Sequence, residues 1–200
     1  MQKDLMMPCK KVNKITDIPI DFFKSNNFKY AIIDVDNTLI DLEGKAVDGI
    51  KEWTNEAKEN GIKLCIASNS TKIKRVKKIA EYLEIPYVYG SMKPLLRGLK
   101  KAMKILNAKP SETVEIGDQI FTDVIGANRL NLYSILTTPF ELEKNILEKI
   151  KRKIEKHYLE KNEIHDWAKK YSQLSLKRME TIIRFKNKKT IIKLIKRNTR

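Results

Sequence analysis

From residue 30 to about 138 the chain alternates short apolar runs with longer amphipathic stretches, and few folds accommodate that pattern. The apolar runs are Tyr30–Val35, Ile62–Ala67, Tyr87–Tyr89, Val114–Ile116 and Ser134–Leu136. Each has the length and texture of a buried strand. Between them, Val47–Asn60 sets Val47, Ile50, Trp53 and Ala57 on one helical face and ends at Gly61. Thr71–Leu83 carries Ile73, Val76, Ile79 and Leu83 at helical spacing and stops before Pro86. Leu95–Leu106 carries Leu95, Leu99, Ala102, Met103 and Leu106, with Pro110 beyond it, and Asp123–Leu130 reads as a short fourth helix. Strand and helix in strict alternation predict an α/β fold, a five-stranded parallel sheet covered on both faces. In such sheets ligands collect at the C-terminal ends of the strands.

Asp34-Val35-Asp36-Asn37-Thr38 follows the first apolar run directly. Two carboxylates one residue apart at a strand end repel each other unless something neutralises them. A divalent cation does so, and a phosphate can share that cation, so the pair points to metal-assisted phosphoryl chemistry. Three further signals fall at the ends of later strands: Ser68-Asn69, Lys93-Pro94, and Gly117-Asp118-Gln119-Ile120-Phe121-Thr122-Asp123. A parallel sheet brings all of them to the rim that carries Asp34. Together they supply a carboxylate nucleophile, a second carboxylate for proton transfer, donors for a phosphate and further acid for a cation. Taken singly, some have plainer readings. Asp123 or Ser68 could cap the helix that follows, and Lys93 alone would be a surface lysine. Trp53, on an apolar helix face, reads as core.

In order and spacing these four segments resemble the motifs of the haloacid dehalogenase superfamily, over roughly residues 30–138. Asp-x-Asp-Asn-Thr-Leu, Ser-Asn, Lys-Pro and Gly-Asp-Gln-x-x-Thr-Asp, with Gly126, Asn128 and Arg129 nearby, are similar to the YqeG-type branch of subclass IIIA, itself related to phosphatidylglycerophosphate phosphatases. The resemblance implies a Rossmann-like core and a phosphatase with bound Mg²⁺. It implies Asp34 as the nucleophile that becomes an aspartyl-phosphate, and Asp36 as the acid and then base, with its carbonyl on the metal. Thr38 would steady the loop, Ser68 and Asn69 would hold the phosphate, and Lys93 would neutralise phosphate and nucleophile. Asp118 would ligate Mg²⁺ directly, with Asp123 an outer partner. An all-oxygen set of this kind suits Mg²⁺. Lys93 and the cation are expected to hold the Asp34 pKa low, with that of Asp36 higher. His157 and His165 lie outside the core and suggest no zinc site.

The spacings leave no room for a folded cap domain. Asp36 and Ser68 are 32 positions apart, and Ser68 and Lys93 are 25 apart, each gap filled by elements already assigned. The loop Leu39–Gly44 can form only a flap. A capless site is open and suits a large substrate whose bulk stays outside, unless an oligomer partner closes it.

Residues 1–28 read as a lead-in without period, residues 29–140 as the phosphatase core, and residues 141–200 as a basic helical extension. The net charge of +16 is concentrated there, with 19 Lys/Arg against 8 Asp/Glu after residue 140. Such a field attracts polyanions, either an anionic membrane surface or nucleic acid; solvated helix faces are the plainer alternative. Leu142, Ile146, Ile150, Ile154 and Tyr158 form one apolar stripe and Ile164, Trp167, Tyr171 and Leu174 another. Lys177–Arg200 has 10 Lys/Arg and one acidic residue. Three functions follow: a phosphatase for a lipid phosphate at a membrane, a phosphatase docked on RNA, or a binding scaffold without turnover. No run approaches the ~20 apolar residues of a membrane span. The two cysteines, Cys9 and Cys65, make no disulfide framework, and Cys65 is expected to be a buried thiol in a cytoplasmic protein.

Overall fold

In the computed structural model, which describes residues 4–140 and 146–172, the first apolar run becomes the central strand of a sheet. The strands are β1 (Lys10–Val12), β2 (Tyr30–Ile33), β3 (Lys63–Ala67), β4 (Tyr87–Val88), β5 (Thr113–Gly117) and β6 (Tyr133–Thr137). They lie in the order β1-β6-β5-β2-β3-β4, and every pairing is parallel. The chain proceeds from β2 to β3 on one side and returns to β5 on the other, so β2 sits where the strand order reverses. That crevice at the carboxyl ends is where this class of sheet binds ligands.

Helices α1 (Ile20–Ser25), α2 (Ile50–Glu59) and α3 (Ile73–Leu83) cover one face, and α4 (Leu96–Leu106) and α5 (Ile125–Arg129) the other. Alternation along the strands divides the core. Ala31, Ile33, Leu64, Ile66, Val114 and Ile116 pack with Ile50, Trp53, Val76 and Ile79. Ile32, Cys65, Ala67 and Val88 pack with Leu99, Ala102 and Ala127. Each fully buried Ile or Leu contributes roughly 1.5–3 kcal/mol. Trp53 is core, and its indole N–H donates to the Ile18 carbonyl at 2.8 Å.

The sheet has six strands where the apolar periodicity of residues 30–138 predicts five. Lys10–Val12 pairs with β6 in the register Lys10↔Ile135 to Val12↔Thr137. A three-residue edge strand with two lysines carries no apolar pattern, and lysines are what guard an exposed edge. Its partners are distant in sequence. The Cys9 N–H donates to the Ser134 carbonyl at 3.0 Å, and Asn128 Nδ2 donates to the carbonyls of Leu5 and Met7. Phe22, Phe23 and Phe28 then pack with Tyr133 and Trp53. The lead-in is thus built into the core unit.

Between β2 and β3 lie only a flap and α2, and between β3 and β4 only α3, so the core is capless. Cys65 is buried and Cys9 exposed, both free. Met1–Glu155 form one compact unit and Lys156–Arg200 another. Helix α6 (Ile146–Ser172) is continuous, and its Ile146, Ile150 and Ile154 are all about half exposed or more. The expected helical residues 141–145, Leu174 and Lys177–Arg200 lie outside the described residues. No helix among the described residues is long and apolar enough to cross a membrane.

Candidate active site

Strand β2 delivers Asp34 to the rim, where its N–H still donates to the Ile116 carbonyl at 2.9 Å. The chain then turns sharply. Asn37 adopts φ +58°, and the N–H groups of Leu39 and Ile40 both donate to the Val35 carbonyl. This turn buries Thr38, whose hydroxyl takes no hydrogen bond among the described residues. Isolated bridges Asp36↔Ile40 and Ile40↔Ala46 shape residues 39–46 into the expected small flap. Arg75 of α3 clips it down, donating to the carbonyls of Asp41 and Leu42 and pairing through Nε with Asp36 at 3.0 Å. Asp36 therefore stands apart from the other acids, half exposed on Arg75.

Lys93 is the centre of the buried charge. Its ammonium lies 2.8 Å from Asp34 Oδ1, 2.7 Å from Asp123 Oδ1 and 3.6 Å from Glu115 Oε1. Asn69 sets its backbone. The Asn69 Oδ1 accepts from the Lys93 N–H at 2.6 Å and the Ser91 hydroxyl at 2.9 Å, while Nδ2 donates to the Lys93 carbonyl. The Asn69 carboxamide thus positions Lys93 through both its oxygen and its nitrogen. Ser68 is buried, and its hydroxyl accepts from the Ser70 N–H ahead of α3. Arg129 donates to the Pro94 carbonyl at 3.0 Å and holds the same loop from the other side.

Asp118 and Asp123 come from the turn after β5. That turn starts as a π-helical turn, Ile120–Val124, and continues into α5, so Asp123 lies inside the helix and does not cap it. Its Oδ2 accepts from the Gln119 N–H at 3.0 Å. A β-carbon on Gly117 would fall 2.3 Å from that same oxygen, so only glycine admits Asp123 here. Asp34, Asp118 and Asp123 each present a carboxylate oxygen within 4.8 Å of the others. Asp118 Oδ1 is buried and takes no hydrogen bond among the described residues, whereas both oxygens of Asp123 are occupied. This donor set could hold a divalent cation, with Asp34 and Asp118 placed to ligate it directly and Asp123 behind them.

Lys93 and a cation together are expected to hold the Asp34 pKa low, and the lysine's share of that pull is not enough. Burial, the dominant influence, outweighs the pull of Lys93 and pushes the Asp34 carboxyl up to about 7, with Asp123 and Asp36 adding to the rise. Burial likewise raises Asp118 and Glu115 well above the usual carboxylate range. Burial works against the Lys93 charge too, but Asp123, Asp34 and Glu115 more than compensate and keep its pKa raised. Lysine alone therefore does not hold Asp34 low. A folded Asp34 binds its proton more tightly than an unfolded one. The stability this contributes is complete below the ordinary value of 3.8 and is lost as pH rises through about 7. In EDTA, the midpoint of thermal unfolding is expected to fall between about pH 5 and pH 8, and Asp34→Asn should flatten the slope. Calorimetry across that range checks it; a wild-type midpoint that climbs instead contradicts the charge balance.

Of the residues singled out in the sequence, the structure brings Asp34, Lys93, Asp118 and Asp123 into one cluster. Glu115, Arg75, Arg152 and Glu155 were missed. A lone Glu inside the apolar run Val114–Ile116 was the one available signal for Glu115. Arg75 and Arg152 sit among many surface-type lysines and arginines and carry no mark in one dimension.

A family model for haloacid dehalogenase-like hydrolases matches residues 41–131. The chain is also 35% identical, over 160 residues, to the probable phosphatase YqeG of Bacillus subtilis, covering 80% of this chain and 92% of that one. The chain belongs to the haloacid dehalogenase-like phosphatases of the YqeG family. A second relative is the glyceraldehyde 3-phosphate phosphatase of Pyrococcus furiosus, 27% identical over 99 residues, which are 46% of this chain and 41% of that protein. Among solved structures, an uncharacterized protein from Listeria monocytogenes aligns with a TM-score of 0.48 at 19% identity, over 59% of this chain and 85% of that one. For a YqeG-family phosphatase the cluster around Lys93 is the centre of interest, and a non-catalytic scaffold no longer describes it.

Proposed function

We propose that this phosphatase hydrolyses phosphomonoesters with Mg²⁺ through an aspartyl-phosphate on Asp34. The observation that carries the reading is the convergence of Asp34, Asp118 and Asp123 on one buried lysine. Five buried carboxylates, counting Glu115 and Glu155, face Lys93 and Arg152, and ionising them would leave negative charge for a dication to offset. When bound, that cation would neutralise the phosphate and the carboxylates that must approach it.

An oxygen of Asp34 attacks phosphorus, and the bond from phosphorus to the leaving oxygen breaks. Asp36 delivers a proton to that oxygen and the alcohol departs. Water then attacks the acyl phosphate, losing its proton to Asp36, and Asp34 is regenerated with release of inorganic phosphate. Lys93 holds Asp34 in place through the first step and opposes the charge that gathers on the phosphate oxygens. Thr38 and Ser68 are the hydroxyls that would offer donors to the phosphate. Arg75, on α3, orients Asp36.

For the substrate we favour a lipid phosphate, such as phosphatidylglycerophosphate, presented at an anionic membrane surface. The capless core supports a substrate whose bulk stays outside. The basic extension and the exposed Ile146, Ile150 and Ile154 support a surface that is both anionic and apolar. RNA docked on the same basic extension is the second reading, favoured by its charge alone. Phosphate release should be measured with Mg²⁺ and with EDTA, on soluble phosphomonoesters, phosphatidylglycerophosphate in anionic vesicles, and 5′- or 3′-phosphorylated RNA. Turnover is expected only with Mg²⁺ and chiefly on vesicles. RNA or small esters cleaved while the lipid stays intact would remove the membrane reading, and full activity in EDTA would remove the metal.

A further inference from the structure

The start of α6, Ile146 to Glu155, lies the wrong way round for an ordinary amphipathic helix. Its Ile146, Leu147, Ile150 and Ile154 are exposed, while Arg152 and Glu155 are largely covered. Burying apolar surface stabilises by roughly 25 cal/mol per Å², so packing alone would turn the isoleucines inward. Something polar decides the orientation. Arg152 grips one residue twice: Nη1 donates to the Asp118 carbonyl and Nη2 to Asp118 Oδ2. Glu155 fixes the grip. Its Oε2 lies 3.3 Å from Arg152 Nη1, and its Oε1 accepts the Phe121 N–H at 3.0 Å, inside the turn that carries Asp123.

We propose that Arg152 is a positioning residue of the active site, orienting the Asp118 carboxylate for the cation and making the start of α6 part of the catalytic apparatus. The inference rests on the reading of Asp118 as a direct ligand. The two oxygens of that carboxylate are treated differently: Arg152 holds Oδ2, and Oδ1 is buried without a hydrogen bond among the described residues. One oxygen is clamped by a planar cationic fork and the other is left for the metal. Guanidinium and cation therefore act on the same carboxylate without competing for an atom. Groups behind a ligand that fix its direction typically change metal affinity or activity by about 10–100-fold when removed. The basic extension consequently does more than offer charge to a partner, because Arg152 and Glu155 reach the site from beyond the core motifs.

The test is calorimetric titration of Mg²⁺ into the full-length chain, wild type against Arg152→Ala, Arg152→Lys and Asp118→Asn, with thermal midpoints recorded alongside. Arg152→Ala is expected to weaken Mg²⁺ binding by about 10–100-fold. Arg152→Lys should recover part of that loss, since it keeps the charge but cannot span the carbonyl and carboxylate together. If the alanine variant fails to fold, the lysine variant still reads the effect. A purely structural arginine would lower the midpoint in either variant and leave Mg²⁺ affinity where it was. That outcome, or tighter binding in Arg152→Ala, overturns the proposal. Asp118→Asn separates the two levels: if it binds Mg²⁺ like wild type, the assignment of Asp118 fails and takes Arg152 with it. If it loses the metal while Arg152→Ala does not, only the role of Arg152 falls.

Discussion

Asp34→Asn is expected to reduce phosphate release by at least about 10⁴-fold while the chain stays folded. The carboxamide has nearly the shape of the carboxylate and still offers an oxygen to Lys93, which lies 2.8 Å away in the wild type. Its oxygen is too weak a nucleophile to attack phosphorus, so the acyl phosphate cannot form. The same substitution removes one negative charge from a buried set that includes Asp118, Asp123 and Glu115. Burial already pushes the Asp34 carboxyl up to about 7, so ionising it works against the fold at higher pH. Asp34→Asn should therefore match or exceed the wild-type thermal midpoint at pH 8. Loss of turnover without loss of stability is the combination to look for, by phosphate release and calorimetry on one preparation. Activity within tenfold of wild type would mean that another group attacks the phosphate.

Lys93→Met has the opposite profile in stability. Lys93 is 4% exposed and is the buried ammonium shared by Asp34, Asp123 and Glu115. Removing one member of a buried charge set while its partners remain costs about 3–5 kcal/mol. The loss should be largest near pH 8, above the value of about 7 to which burial pushes Asp34, where that carboxyl would be ionised. It should shrink toward pH 5, because Asp34 and Glu115 already take up protons above the usual range and can then do so freely. Turnover should fall by at least about 10²-fold, as removal of an electrostatic stabiliser commonly does. Urea unfolding at the two pH values checks the stability, and added Mg²⁺ should restore part of it at pH 8. An unchanged midpoint at pH 8 would show that the carboxylates are neutral without the lysine.

The two variants act on one ion cluster in opposite senses. Taking away a negative charge relieves it, and taking away its central positive charge leaves it unopposed. The outcome follows from burial, since the same residues in water would differ by little.

The alternation of apolar runs determined the sheet, and the motifs at strand ends determined the rim, because both are properties of near neighbours. An apolar tetrapeptide such as Tyr30–Ile33 can hide on both faces only inside a covered sheet, and Asp34 must then lie where the strand stops. The rim positions of Ser68, Lys93 and the residues after Gly117 were legible for the same reason. What stayed hidden depends on partners far along the chain. Lys10–Val12 looks like loop until Ile135–Thr137 is beside it. The hold of Asn69 on the Lys93 backbone shows only once the fold sets the two loops side by side. The Asp34 pKa could be guessed from the charge of Lys93, but its direction was set by burial, which no spacing reveals. Arg152 and Glu155 were two more charges in a basic extension, and only folding laid them against Asp118 and Phe121. By itself the sequence determined the class of fold and the identity of the chemical groups, since periodicity and motif are local. The tertiary structure alone decided which charges share a desolvated space, because desolvation belongs to the packed whole and to no residue in isolation.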